Sequence, residues 1–312
     1  MPGKVDLDER VHDAMSLPTG GGPAGWDEIS VSYRMNLRAE RCANYMEGFN
    51  HKFARYTKAE AERVHPLVVH YWALMYKGDF LYEQAQREGR STITDHTWKR
   101  ELIELVKGHE AWDETVAHCV EELERYYVLE GQVMLGEVEL TEEVFREVNV
   151  IRSAVIDGLS RALNNIKGVP HDEPLFGLIE PWMVFLEITD DLDSYPLDRA
   201  DDSFNALRLF VRMYGRDAAV PRMRAYLQGL AEEAVGLIAG APRRSVLGLY
   251  EVMLLGRLNT RPVRAALGLL PTGVLKKLAG HLTRHFLAVP KTMPEPVAET
   301  APASLRKKAV RK

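Results

Sequence analysis

From Val31 to about His285 the apolar residues recur at intervals of three and four, and no useful length of the chain alternates with a period of two. A helix face repeats every 3.6 residues and a strand face every two, so this regularity excludes a sheet protein and leaves an all-α one. VHPLVVHYWALMYKGDFLYE (64–83), HCVEELERYYVLEGQVML (118–135) and FNALRLFVRMYG (204–215) carry it most plainly. Turn-forming stretches at 89–94, 137–141, 168–174, 196–202 and 240–242 divide the chain, giving helices of roughly 15–30 residues. LTEE (140–143) opens one of them in the manner of a capping box, with Thr141 placed to accept from the free amides. No repeat of 20–50 residues is present. The expected organisation is one all-α bundle over 30–288, with a flexible arm at 1–29 containing LPTGGGPAG. The tail at 289–312, VPKTMPEPVAETAPASLRKKAVRK, is Pro/Ala-rich and basic, and its composition predicts disorder.

Charge and cysteine usage narrow the function classes. A net charge of −5 lacks the Lys/Arg excess that non-specific nucleic-acid binding requires. Cys42 and Cys119 are the two cysteines; without CxxC or Cys/His spacing they suggest neither a disulfide scaffold nor zinc. No signal-peptide pattern and no run of about 18 apolar residues is visible, so a cytoplasmic protein without a membrane span is expected.

One stretch stands out against this background. EITDDLDSYPLDRADDSFN (187–205) holds six aspartates and a glutamate directly after PWMVFLEI. Like charges three or four apart on a helix repel, so the run costs stability unless cations neutralise it. On a helix Glu187, Asp190, Asp191, Ser194 and Asp198 share one face. Pro196 would strain a continuous helix, which places Asp198 just past a break and Asp202 or Ser203 at the next cap. Clustered carboxylates suit Mg²⁺, which takes one or two of them with waters and phosphate oxygens; the alternative is a solvated acidic helix end.

LEITDDLDSYPLD (186–198) resembles the second aspartate-rich motif of the trans-isoprenyl diphosphate synthases, the polyprenyl synthetase family, with Asp190, Asp191, Tyr195 and Asp198 in register. Glu187 stands at that motif's Gln, and Ser194 at its third aspartate. KGDFLYEQAQREGRST (77–92) is similar to the first motif and its R-R-G-x-P-T extension, matching at Asp79, Arg87, Gly89 and Thr92. Gly78, Tyr82 and Glu88 replace two aspartates and an arginine there, and Glu83, four residues from Asp79, offers a carboxylate on the same face. LEGQVMLGEVELTEEVFREVNVIRSAVIDGL (129–159) resembles the family's G-Q…K-T region, with Gly131 and Gln132 matching and Arg152–Ser153 at the Lys–Thr position.

The resemblance implies a class I isoprenoid synthase bundle in which Mg²⁺ ions, held by Asp190, Asp191, Asp198, Glu187, Asp79 and Glu83, grip the diphosphate of an allylic prenyl substrate. Asp190 and Asp191 would be the catalytic pair. Arg87, Arg90, Arg152, Gln132, Arg208 and Arg212 would bind the diphosphate, and a homodimer follows from the resemblance alone. Elongating members carry a G-G-K-R-x-R-P stretch before the first motif. Here SYRMNLRAERCANYMEGFNHKF (32–53) has scattered Arg34, Arg38 and Arg41 instead. That favours a terpene synthase, a cyclase and lyase, over a chain-elongating transferase or a non-catalytic regulatory subunit. The tail is free to dock a partner or serve as a linker. A di-iron bundle finds only one Glu-x-x-His pair, Glu62 with His65.

Overall fold

The described residues of the computed structural model are 31–254 and 261–299, and among them there is no strand. The arm at 1–29 and the basic end of the tail at 300–312 lie outside them. From Ser32 onward the described chain belongs to one compact unit. The helices are α1 (Tyr33–Phe53), α2 (Lys58–Arg87), α3 (Thr97–Gly108), α4 (Glu114–Leu135), α5 (Glu142–Arg152), α6 (Ala154–Lys167), α7 (Glu173–Ala200), α8 (Ala206–Tyr214), α9 (Arg216–Gly240), α10 (Arg243–Leu249), α11 (Arg261–Leu269) and α12 (Thr272–Phe286). A π-helical turn, Tyr250–Leu254, follows α10.

Side-chain caps set most of the starts. Thr57 and Glu60 form a reciprocal capping box on α2, with Thr57 N–H donating to Glu60 at 2.7 Å. Asp113, Thr141 and Asp172 accept from the third residue beyond them at the starts of α4, α5 and α7. Thr141 therefore does what LTEE predicts. The boundary between α5 and α6 has no glycine or proline; it falls at Ser153, where the chain bends without leaving helical geometry.

Two helices organise the interior. α4 packs on α2, α5 and α6, and α7 packs on α5, α8, α9 and α10. Between α2, α3 and α4, Tyr82 stacks on Tyr127 at 5.2 Å and Trp98 meets Tyr127 edge-on at 5.5 Å, all fully buried. A second aromatic knot, Phe145, Phe210 and Tyr226, joins α5, α8 and α9. Each buried aromatic contributes about 1.5–3 kcal/mol relative to exposure.

Three sequence expectations are corrected here. α7 runs through Pro196 to Ala200, so Asp198 lies within the acidic helix and not beyond a break. The proline forfeits one hydrogen bond, and the burial of Leu192 and Tyr195 on the same turns keeps the helix in place. The next helix is capped by Asn205, whose side chain accepts from Leu207 N–H at 3.0 Å, not by Asp202 or Ser203. The first part of the tail, expected to be disordered on composition, is held against the bundle as an extended strap. Arg224 donates to Pro290 O and Lys291 O at 2.9 and 2.8 Å. Arg216 pairs with Glu295, and Tyr195 Oη accepts from Val297 N–H at 2.9 Å. Arginines of the bundle supply the order that the strap's own composition cannot. No helix among the described residues is long and apolar enough to cross a membrane.

Candidate diphosphate and metal site

The acidic face of α7 meets a single cation from α5. Arg152 donates to both carboxylate oxygens of Asp191 at 3.0 and 3.1 Å, and its Nε lies 3.1 Å from Glu187. Asp191 is 3% exposed and also accepts from Ala206 N–H at 2.9 Å, the start of α8. Burial pushes its carboxyl up to about 6 while Arg152 and the amide pull it down, so at neutral pH the pair is carboxylate and guanidinium. The same neighbours hold Arg152 well above the ordinary arginine range against the effect of its burial. Asp198 is engaged by Ser194 Oγ and by Asn205 Nδ2 at 2.5 and 2.9 Å. Asp190, one residue from Asp191, turns to solvent.

The first motif faces this cluster from α2, and its departures have physical reasons. Gly78 stands where the family carries its first aspartate, and a Cβ there would lie 2.7 Å from the Trp98 ring. Tyr82 stands at the third, is 2% exposed and donates to Glu124 at 3.1 Å. Both positions are given over to packing α2 on α3 and α4. Introducing an aspartate as Gly78→Asp should destabilise the fold by about 1–3 kcal/mol or more through overpacking. Thermal melting checks this, and an unchanged Tm would show that the Trp98 contact yields freely.

Asp79 remains, and its surroundings are unusual. It makes no hydrogen bond among the described residues, and burial, Glu130 and Glu83 push it up to about 7 against the opposing pull of Arg38 and Arg152. Because one guanidinium acts on Asp79, Glu130, Glu187 and Asp191, residues from α2, α4 and α7 share a single electrostatic neighbourhood. Glu130 is 6% exposed and accepts from Tyr126 Oη and from Gln86 Nε2 at 3.2 Å. The sequence reading missed Glu130, although it directly precedes the matched Gly131–Gln132 pair on a helix turn shared with Tyr126. Gly131 itself is a close-approach glycine, since a Cβ would lie 3.1 Å from Ser91 Cα.

A carboxyl raised on folding adds stability that is complete below its unfolded pKa near 4 and is lost as pH rises through the folded value near 7. Between pH 5 and pH 8 Asp79→Asn should therefore gain roughly 2–3 kcal/mol in stability relative to the wild type. Paired melts at the two pH values check the sign, and a variant equally stabilised at both would refute it.

The remaining candidates are dispersed. Arg87 pairs with Glu83 at 3.1 Å on the exposed side of α2, and Arg90 with Glu88 at 2.5 Å. Gln132 sits half-buried in the last turn of α4. Arg208 is buried and bound by Asp202 at 2.6 Å and by Glu299 of the strap at 2.9 Å; Arg212 donates to Val133 O at 2.9 Å. Of the arginines assigned to the diphosphate, Arg152 alone touches the carboxylates of α7. Glu62 and His65 bond elsewhere, to Lys58 and Glu40.

The donor set has the chemistry of a hard divalent cation: Glu187, Asp191, Asp79 and Glu130 bring more carboxylates than Arg152 alone can balance. It is not preassembled. Among the described residues no three His, Cys, Asp or Glu side chains are grouped to hold a metal ion, Asp191 being taken by Arg152 and Asp198 by Asn205. Completion by diphosphate oxygens fits that arrangement, since Mg²⁺ needs only one or two protein carboxylates. No family model matches the chain, and neither the curated proteins nor the solved structures provide a match.

Proposed function

We propose that this protein is a Mg²⁺-dependent class I terpene synthase that ionises an allylic prenyl diphosphate. The observation that supports the reading most is the convergence on Arg152 of Asp79 from α2 with Glu187 and Asp191 from α7. These residues are separated by up to 112 positions in sequence, and the motif resemblance requires them to meet. When bound, Mg²⁺ would supply charge neutralisation of the departing pyrophosphate.

The chain's own residues do the rest. Without substrate, Arg152 balances Glu187 and Asp191 and so keeps a buried acidic pair stable. Its planar fork of donors suits phosphate oxygens as well as carboxylates. A diphosphate held by that fork would leave oxygens of Asp191 and Glu187, with Asp79 beside them, as the carboxylates that would hold Mg²⁺. Phe204, 5.7 Å from the Arg152 guanidinium, and Tyr126 supply aromatic surface beside the leaving group, which limits water at an ionised allyl chain.

Cyclisation is favoured over elongation because α1 carries scattered arginines in place of the G-G-K-R-x-R-P stretch of elongating members. Arg34, Arg38 and Arg41 are exposed, and Arg38 lies 4.7 Å over the Tyr76 ring. The test is to supply geranyl, farnesyl and geranylgeranyl diphosphates with Mg²⁺, with and without isopentenyl diphosphate. Hydrocarbon or alcohol products independent of isopentenyl diphosphate are expected. Longer diphosphates that depend on it would make the protein an elongating synthase, and no pyrophosphate release would leave the regulatory-subunit reading.

A further inference from the structure

Beyond α12 the strap is fastened by polar contacts and not by apolar burial. Leu287 is buried, and no apolar side chain of 288–299 follows it into the core. Arg224 and Arg216 of α9 hold Pro290, Lys291 and Glu295, and Tyr195 of α7 accepts from Val297 N–H. Exposed polar contacts are individually weak, so such a segment opens at small cost. Its last fixed point is different. Glu299 places its carboxylate on Arg208 of α8 through two contacts, from Nε at 3.1 Å and from Nη2 at 2.9 Å.

Both side chains of this pair are nearly closed off from solvent, Arg208 at 8% and Glu299 at 7% exposure. The edge of Arg208 that Glu299 fills is a two-donor fork, which phosphate oxygens fit as well as carboxylate oxygens do. Arg212 follows four residues later on α8 and donates to Val133 O at 2.9 Å. Burial and Arg208 itself pull Arg212 below the ordinary arginine range, against Glu299 and Asp202. Asp202, the other carboxylate on Arg208, has a side chain 87% exposed. The charges drawn inward are therefore two guanidiniums against one carboxylate. An anion carrying two negative charges would balance them better.

These arginines adjoin the candidate active site. Arg208 comes four residues after Phe204, whose ring lies 5.7 Å from the Arg152 guanidinium. Tyr195, the strap's foothold on α7, stands four residues after Asp191 and three before Asp198. We propose that Glu299 is a built-in competitor: it fills a dianion site formed by Arg208 and Arg212, and a diphosphate group displaces it and frees the strap. The diphosphate as ligand rests on the function proposed above, whereas the site and the strap are tested without turnover. Once Glu299 is displaced, Val297 N–H leaves Tyr195 and the strap opens away from the acidic end of α7.

Calorimetry on the full chain with inorganic pyrophosphate and no Mg²⁺ tests this. The wild type should bind weakly. Glu299→Gln should bind about tenfold more tightly or better, because a tethered carboxylate competes at an effective concentration near millimolar. Adding Arg208→Gln to Glu299→Gln should abolish the gain. Glu299→Gln should fold, since Arg208 keeps Asp202 at 2.6 Å, and a melt verifies this. If the double variant does not fold, Arg212→Gln in the Glu299→Gln background provides the same test. Hydrogen exchange at Val297 N–H reports on the strap itself. It should be slow in the free wild type, faster with saturating pyrophosphate, and faster in Glu299→Gln without ligand. Equal affinities of wild type and Glu299→Gln, a gain that survives the loss of Arg208, or exchange at Val297 unchanged by pyrophosphate would each overturn the proposal. Turnover of prenyl diphosphates alongside any of those results would refute the competitor alone. The expected results without turnover would uphold it and remove the cyclase reading.

Discussion

Arg152→Met is expected to destabilise the protein by about 3–5 kcal/mol, because it removes the one cation among the described residues that touches Glu187 and Asp191. Asp191 is almost wholly buried, and after the substitution its carboxylate would keep only the Ala206 amide. Methionine preserves much of the side chain's volume, so the loss reports charge and not a cavity. The double variant Arg152→Met with Asp191→Asn should recover much of the stability, since replacing both partners of a buried pair is far milder than removing one. Denaturant unfolding of the four proteins gives the coupling directly. A single variant within about 0.5 kcal/mol of the wild type, the range of ordinary surface substitutions, would mean that water reaches Asp191 and that the cluster is not enclosed.

The helical class was legible because its period persists over the whole core, and caps such as Thr141 announced themselves in sequence. The break at Ser153 was not, since helical geometry persists there and no glycine or proline marks it. Pro196 misled in the opposite direction: propensity argued for a break, and the burial of Leu192 and Tyr195 overrode it. The pairing of Arg152 with Asp191 could not come from periodicity at all. It links residues 39 apart through the packing of α5 on α7, and the motif resemblance gave one to the diphosphate and the other to the metal, not to each other. Gly78 and Tyr82 read as gaps in a ligand motif until Trp98 and Tyr127 showed what they pack against. Arg208 was lost to the candidate site by an ion pair with Glu299, 91 residues away, in a tail whose composition gave no sign of docking.

The claim on which the rest depends is that the face of α7 is built to be neutralised by metal and diphosphate together. Asp191→Asn is the decisive variant, because Arg152 retains Glu187 at 3.1 Å and is not orphaned by it. The variant should therefore fold, and it should release no pyrophosphate from an allylic diphosphate. Ligand linkage provides the direct reading. Mg²⁺ with pyrophosphate at a hundredfold excess over the dissociation constant should stabilise the wild type by about 2.7 kcal/mol. Either component alone should do little, and the variant should respond much less to the pair. The measurement is the melting temperature of wild type and Asp191→Asn with Mg²⁺, with pyrophosphate, and with both. A rise specific to the combination and confined to the wild type is the predicted result; equal responses of the two proteins, or none in either, would contradict the account.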